Sequence, residues 1–324
     1  MFVHVTLPAL ANGHYKECPA LYILKEMRFL SAGQEAYHVD PTIMLREYMS
    51  SLTTEECDQF AKTYLGKTDA PSGAAREVWI PVFLPNSTYF HRKHKDSRGM
   101  GIFPAYLGQN RLEVQLQFAN AQEVTKNGAD NPASIASAVK MMIHQIEAPI
   151  SDIQKYSDSR GQYSVITRRY TEITNGWTNY ATGGEEFKIN QVQPLGTCLQ
   201  ICVIAVPAGT AEVDREVLQT VKCSHISITA DSITQRSLDT AAKCEIELWC
   251  NGFVGNSYVP NCSRLCFNGH GADDNLYSGG FQMSLNSQIS ISVKFPVAVD
   301  FRVYAVQLQR TTINSLGLVQ AGLE

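Results

Sequence analysis

Several things this sequence lacks narrow its role at once. No stretch approaches the run of about 18 apolar residues that a spanning helix needs. The opening Met1-Phe2-Val3-His4-Val5-Thr6-Leu7-Pro8 has no basic region leading into a long apolar segment, so no secretory leader is read there. Any work at a membrane is therefore expected to be peripheral. An excess of positive charge is missing too: 27 Lys and Arg face 31 Asp and Glu. A dedicated nucleic-acid binder carries a basic footprint, so no sequence-specific nucleic-acid contact is expected. The sequence holds no Gly-x-Ser-x-Gly, no His-Glu-x-x-His and no Gly-x4-Gly-Lys-Ser/Thr. Its eight histidines are scattered without a His-x-His pair, which argues against a cupin-type metal enzyme. The chain is read as non-enzymatic, with no catalytic residue, cofactor or metal assigned.

The nine cysteines are odd in number, and Cys198, Cys202, Cys223 and Cys250 sit in apolar, strand-like runs. A disulfide framework wants an even count at loop positions, so reduced, buried thiols made in a cytoplasm fit better. What is present in abundance is period-2 alternation. Leu112–Phe118 and Ile289–Phe295 alternate apolar and polar residues without a break, each a strand with one face in a core. Further strands are predicted at Phe2–Leu7, Leu21–Phe29, Val78–Leu84, Met141–Glu147, Ser164–Ile173, Glu186–Val192, Leu199–Val206, His225–Ala230, Glu245–Cys250 and Phe301–Gln309. Clusters of Gly, Pro, Asn and Asp separate them. Helical signal is scarce. The clearest block is Asp40–Leu65, with Asp40-Pro41 as one start and Thr53-Thr54-Glu55-Glu56 as another. Asn131–Ala138 and Ser151–Tyr156 supply a turn or two at most. The fold class is all-β, with a few short helices in loops.

An internal repeat organises these strands. Gly101, Phe103 and Leu107 match Gly279, Phe281 and Leu285 at constant offset. After one gap, Leu112, Val114, Leu116 and Phe118 match Ile289, Ile291, Val293 and Phe295. Met141–Glu147 resembles Val303–Gln309, Val3–Gly13 resembles Ile201–Gly209, and Leu21–Ser31 resembles Val221–Ser232. Solenoid units run about 20 to 50 residues, so a period this long reads as two tandem copies of one β domain. The expected division is 1–150, a linker at 151–163, and 164–324.

Trp79-Ile80-Pro81-Val82 followed by Arg111–Asn120 resembles the end of the first barrel in double jelly-roll major capsid proteins. Ser278–Ile289 is similar to the Ser-Gly-x4-Ser-x6-Leu pattern near the end of their second barrel. The family includes coat proteins of membrane-containing tailless bacteriophages, archaeal viruses, adenoviruses and large eukaryotic DNA viruses. The resemblance implies two tandem eight-stranded jelly-roll barrels. It also implies a homotrimer whose six barrels make a pseudo-hexagonal tile of an icosahedral capsid, the virion being its location. Neighbouring capsomers, penton or minor capsid proteins, and peripheral contact with an internal membrane are the partners implied. One departure stands out: Ser164–Val192 precedes the segment matching Phe2–Leu7, whereas nothing precedes Phe2 in the first copy. Its opening strand is absent, or comes from elsewhere such as Thr311–Glu324, or the register differs. No N-terminal arm is visible, which leaves a membrane-anchoring role without support.

Candidate sites each have an ordinary reading beside the functional one. The basic run His91–Arg98 suits lipid headgroups, packaged genome or a neighbouring capsomer, but such runs are usually solvated loops. Cys262-x3-Cys266-x3-His270, with Cys244 and Cys250 upstream, has permissive zinc spacing and an ambiguous fourth ligand; ordinary thiols are the simpler reading. Asp273-Asp274 reads as a turn, and Asn86-Ser87-Thr88 and Asn261-Cys262-Ser263 as unused glycosylation patterns. Trp79, Trp177 and Trp249 are expected as core or interface anchors. The loops at 85–110, 120–138 and 251–278 are expected to form towers, clasps or edge contacts. The rival reading is a tandem β-sandwich for carbohydrate binding or adhesion, since jelly rolls also serve as lectins.

Overall fold

The computed structural model describes residues 2–50, 52–82, 112–126, 139–142, 163–192, 196–211, 214–215, 221–250, 262–267, 279–286, 288–313 and 319–323. The chain forms two compact units: residues 1–45, 58–167 and 310–322 make the first, and 46–57, 168–309 and 323–324 the second.

In the first unit, β1 (Phe2–Leu7), β5 (Arg76–Pro81) and β8 (Val139–Met142) form an antiparallel sheet in the order β5–β1–β8. A second sheet has the order β4–β3–β6, from β3 (Leu24–Ser31), β4 (Gln34–Val39) and β6 (Leu112–Phe118). Between them, β2 (His14–Tyr15) pairs with β7 (Thr125–Lys126). Alternation decides the faces, as the spacing predicts. Val3, Val5 and Leu7 of β1 and Val78 and Ile80 of β5 are buried at 2% exposure or less, while Thr6 and Glu77 face outward. The helices are α1 (Ala20–Ile23), α2 (Pro41–Ser50), α3 (Thr54–Tyr64) and α4 (Ala121–Val124), of which residues 46–50 of α2 and 54–57 of α3 count with the second unit. α2 and α3 start where predicted. The Asp40 carboxylate accepts from the Thr42 and Ile43 amides at 2.9 and 3.3 Å. Thr53 and Glu56 form a reciprocal capping box, at 3.0 Å to the Thr53 amide and 3.3 Å to the Glu56 amide.

In the second unit, β10 (Thr178–Tyr180), β12 (Thr197–Pro207), β15 (Ser263–Cys266) and β18 (Val299–Ile313) form one sheet in the order β10–β18–β12–β15. The other sheet, β11–β17–β13–β14, comprises β11 (Glu186–Val192), β13 (His225–Ala230), β14 (Ile233–Leu238) and β17 (Ile289–Lys294). β9 (Tyr163–Glu172) and β19 (Val319–Leu323) also pair with β18, and β16 (Phe281–Gln282) pairs with β12; residues 163–167, 310–313 and 319–322 of these strands count with the first unit. The inner faces share a core of aliphatic and aromatic residues, among them Ile201, Val203, Ile226, Ile291, Phe295, Phe301 and Val303. A helix α5 (Ala241–Cys250) follows β14.

The repeat seen in the sequence is a repeat of position. β5–β1–β8 takes the same order as β15–β12–β18, and β4–β3–β6 the same order as β14–β13–β17. The segments around 112 and 289 are therefore equivalent strands. β10 and β11 have no counterpart among the described residues of the first unit, and β19 pairs with β18 rather than joining the sheet of β1.

Two local expectations fail. Glu245–Cys250 was expected as a strand and lies inside α5. Glu-Ile-Glu-Leu alternates like a strand, but Thr240 accepts from the Lys243 amide at 3.2 Å and starts a helix instead. Residues 21–23 belong to α1, so the strand expected at Leu21–Phe29 opens at Leu24.

Candidate functional site

Among the described residues, the outer face of β15–β12–β18 carries a cluster of buried polar side chains. Strand alternation turns Gln200, Cys202, Arg264 and Tyr304 away from the core on that face, with Cys202 opposite both Arg264 and Tyr304 in register. Glu47 and Ser50, which belong to the same unit, bond to that face. β12 is thus buried on both sides, which is why it reads as an unbroken apolar run from Ile201 to Val206.

Arg264 is 1% exposed and grips Glu47 with both arms, Nη1 to Oε2 at 2.6 Å and Nη2 to Oε1 at 2.7 Å. Its Nη1 also reaches Gln200 Oε1 at 3.0 Å and Cys202 Sγ at 3.3 Å, and its Nη2 reaches Ser50 Oγ at 3.4 Å. The Tyr304 hydroxyl donates to Glu47 Oε1. Cys262 Sγ lies 3.9 Å from that hydroxyl and 3.5 Å from the Val203 carbonyl. A planar fork on a carboxylate with its remaining lone pairs satisfied is the geometry in which a buried ion pair repays its desolvation.

The charges of this cluster reset its acids. Burial alone would push the Glu47 carboxyl up. The Arg264 charge, hydrogen bonds from Arg264 and Tyr304, and the Arg46 charge outweigh it, holding the carboxyl below the usual range. Burial would likewise raise the Cys262 thiol, but its hydrogen bond with Cys202 and the charges of Arg46 and Arg264 hold it well below the usual thiol value. Cys202 moves up, chiefly by burial. Elsewhere burial pushes Cys266 up to about 12 and Cys244 up to about 11, so these thiols stay protonated and inert. Glu47 carries the linkage. Its folded-state pKa is depressed, so its contribution is present above the ordinary glutamate pKa of about 4.3 and is lost as pH falls through the folded value. Denaturant midpoints of the wild-type chain are expected to drop from pH 5 to pH 2.5. In Glu47→Gln, stability is lower at pH 7 and its dependence over that window is shallower; equal slopes in the two proteins would contradict the assignment.

A second set of side chains lies where β9 and β10 meet β18. Arg302 forks onto Glu172 at 2.8 and 2.7 Å, and Arg215 pairs with Asp300 at 3.1 Å. Both guanidinium groups stand over the Trp177 ring, 5.2 Å from its centroid for Arg215 and 5.9 Å for Arg302. Trp79 stacks on His4 at 4.3 Å on the outer face of β5–β1–β8. Trp249 behaves differently. It lies on α5 at 69% exposure, beside Ile246 at 58%. That helix is held through Glu247, which takes Arg236 Nη2 at 2.9 and 2.8 Å and the Cys266 amide at 2.8 Å.

Cys262 and Cys266, whose spacing is permissive for zinc, do not converge. Cys262 faces the arginines, while Cys266 lies four residues along the same strand, roughly 13 Å away at the usual rise. Its backbone amide is taken by Glu247. Among the described residues no group of three or more His, Cys, Asp or Glu side chains is arranged to hold a metal. His270, the basic run His91–Arg98, Asp273-Asp274, Asn86-Ser87-Thr88 and Asn261 lie outside the described residues. So do most of the three loops expected to form towers or clasps. Among the described residues no helix is long and apolar enough to cross a membrane. The sequence reading missed the Arg264–Glu47 pair. The one local signal was an arginine placed amid an apolar strand, Ser263-Arg264-Leu265-Cys266.

No protein-family profile matches the sequence, and no curated protein matches it. Solved structures do match. VP54 of PBCV-1, as fitted into the virophage Sputnik, superposes with a TM-score of 0.70 over 99% of this chain and 88% of its own, at 10% identity. The Faustovirus major capsid protein gives 0.61 over 98% and 74%, also at 10% identity. The mavirus major capsid protein gives 0.50 over 99% and 82%, at 11% identity. The fold is a double jelly roll. Strand orders β10–β18–β12–β15 and β11–β17–β13–β14 are the two sheets of one such barrel, and the first unit repeats three strands of each.

Proposed function

We propose that this double jelly-roll chain is a structural coat subunit, a major capsid protein that assembles into pseudo-hexameric homotrimers tiling an icosahedral shell. The observation that carries this reading is the duplication: one chain holds two units whose strands share order and register. Three such chains present six similar flanks, the number a hexagonal lattice needs. The fold's likeness to solved major capsid proteins supports it. Neighbouring capsomers and penton or minor proteins are the partners, peripheral membrane contact is confined to loops, and the virion is the location.

The test is the mass of the purified chain in solution, followed by negative-stain imaging. A trimer with a hexagonal outline, growing into sheets or shells, is expected. A monomer that binds glycans on an array would replace this reading with the adhesion alternative.

A further inference from the structure

α2 and α5 occupy the same step of the duplicated chain. Each is ten residues long and follows an equivalent strand, β4 or β14, so that positions 41–50 map onto 241–250 by adding 200. Each is capped at the residue before it, Asp40 or Thr240. Glu47 maps onto Glu247; both are buried and both meet an arginine. Burial diverges at most other positions: Pro41, Ile43 and Leu45 are buried where Ala241, Lys243 and Glu245 are exposed, and three further positions share one face. Arg46, Met49 and Ser50 are buried, at 0%, 0% and 9% exposure. Their counterparts Ile246, Trp249 and Cys250 are exposed, the first two at 58% and 69%. Spaced i, i+3, i+4, these three share one face of α5, an apolar stripe pointing to solvent.

The sheet face receiving the α2 residues has its own counterpart. Aligning Val3 with Ile201 puts His4 at the position of Cys202. The registers then put Trp79 where Arg264 stands and Lys140 where Tyr304 stands. Phe2 takes the place of Gln200, and Met142 that of Val306. The chemistry has been exchanged on both partners. Where the helix brings Arg46, Glu47 and Ser50, the sheet offers Arg264, Gln200 and Tyr304. Where the helix brings Ile246 and Trp249, the equivalent sheet offers Trp79 and Met142, the latter 48% exposed, beside Phe2, whose ring already stacks on Tyr64 at 5.6 Å. Apolar stripe answers apolar side chains on that face, where His4 already lies 3.5 Å from Glu77 and Lys140 is exposed.

We propose that α5, through Ile246 and Trp249, docks on the outer face of the β5–β1–β8 sheet of a second copy of this chain. The proposal rests on the self-assembly reading above and names a surface through which it operates. A helix of one copy on a sheet of the next is a head-to-tail contact, the kind that closes into rings. One tryptophan buries about 150–250 Å², whereas a stable interface takes about 800 Å² per partner. The stripe is thus the anchor of a larger contact.

The test compares the solution mass of the wild-type chain with Ile246→Glu, Trp249→Glu and, as control, Ile233→Glu, an exposed apolar residue on β14 at 66%. A wild-type oligomer is expected to dissociate in the first two variants, with weakening of about thirtyfold or more, while the control still assembles and all three melt as the wild type does. If the wild type assembles and Trp249→Glu assembles equally well, the docking surface is wrong and the coat reading survives. A wild type that stays monomeric at all concentrations overturns both. Should the glutamate variants fail to fold, a photoreactive maleimide on Cys250, the exposed cysteine of the nine, decides. In a mixture of light and heavy isotope-labelled chains, cross-links from Cys250 to Phe2–Leu7 or Arg76–Pro81 of another copy are expected. Cross-links confined to its own chain overturn the proposal.

Discussion

Glu47→Ala is expected to cost the second unit about 3–5 kcal/mol, because the substitution leaves the Arg264 guanidinium buried without its carboxylate. The size follows from geometry: Arg264 is 1% exposed and holds Glu47 by two bonds, with Gln200, Cys202 and Ser50 as further partners. Arg46, also buried, loses the same counter-charge. The companion variant separates the penalty of an orphaned charge from the worth of the pair. Glu47→Leu combined with Arg264→Met replaces ions with apolar bulk of similar length, and is expected to recover most of what Glu47→Ala loses. Urea midpoints at unchanged m-value report both numbers. A single variant costing under 1 kcal/mol would show that the fork is not closed in solution.

Phe301→Ala should be comparably damaging, at about 3–5 kcal/mol, through a different mechanism. Phe301 is fully buried, and its ring lies 5.2 Å from Phe187 and 5.3 Å from Phe295, centroid to centroid. Tyr180 closes the set at 5.6 Å from Phe295. These rings come from β10, β11, β18 and the residue just after β17, so they join the two sheets. Truncating one leaves a void that rigid strands close poorly. Denaturant unfolding checks it, and a loss no greater than that of an exposed position such as Ile233→Ala would contradict this account of the core.

Strands with one wet face announced themselves. Leu112–Phe118 and Glu186–Val192 were legible to the residue, because alternation writes the pleat directly into the sequence. The matched alternation of 112–118 and 289–295 also revealed the duplication, although Val114 and Leu116 are half-buried and Phe118 is 37% exposed where Ile291, Val293 and Phe295 are buried. The helical repeat stayed hidden. α2 and α5 share little beyond Glu47 and Glu247, and Glu245–Leu248 mimics a strand over four residues. Short strands such as Thr178–Tyr180 and Ser263–Cys266 have no period long enough to detect. The ionic cluster had no local signature, for Glu47 and Arg264 stand 217 residues apart. The exchange of Arg264 for Trp79 became visible only through register, which pairs residues that no sequence spacing connects.

That separation also bears on how the chain is made. Glu47 leaves the ribosome 217 residues ahead of Arg264 and 257 ahead of Tyr304. At about 5–20 residues per second, its forked partner Arg264 arrives roughly 10–40 seconds later. Until then the glutamate must remain hydrated, and residues 46–57 have no finished sheet to cover. Newly made chain therefore passes through a long interval in which its second unit cannot close, and a cell that makes it in quantity must keep that surface from sticking elsewhere.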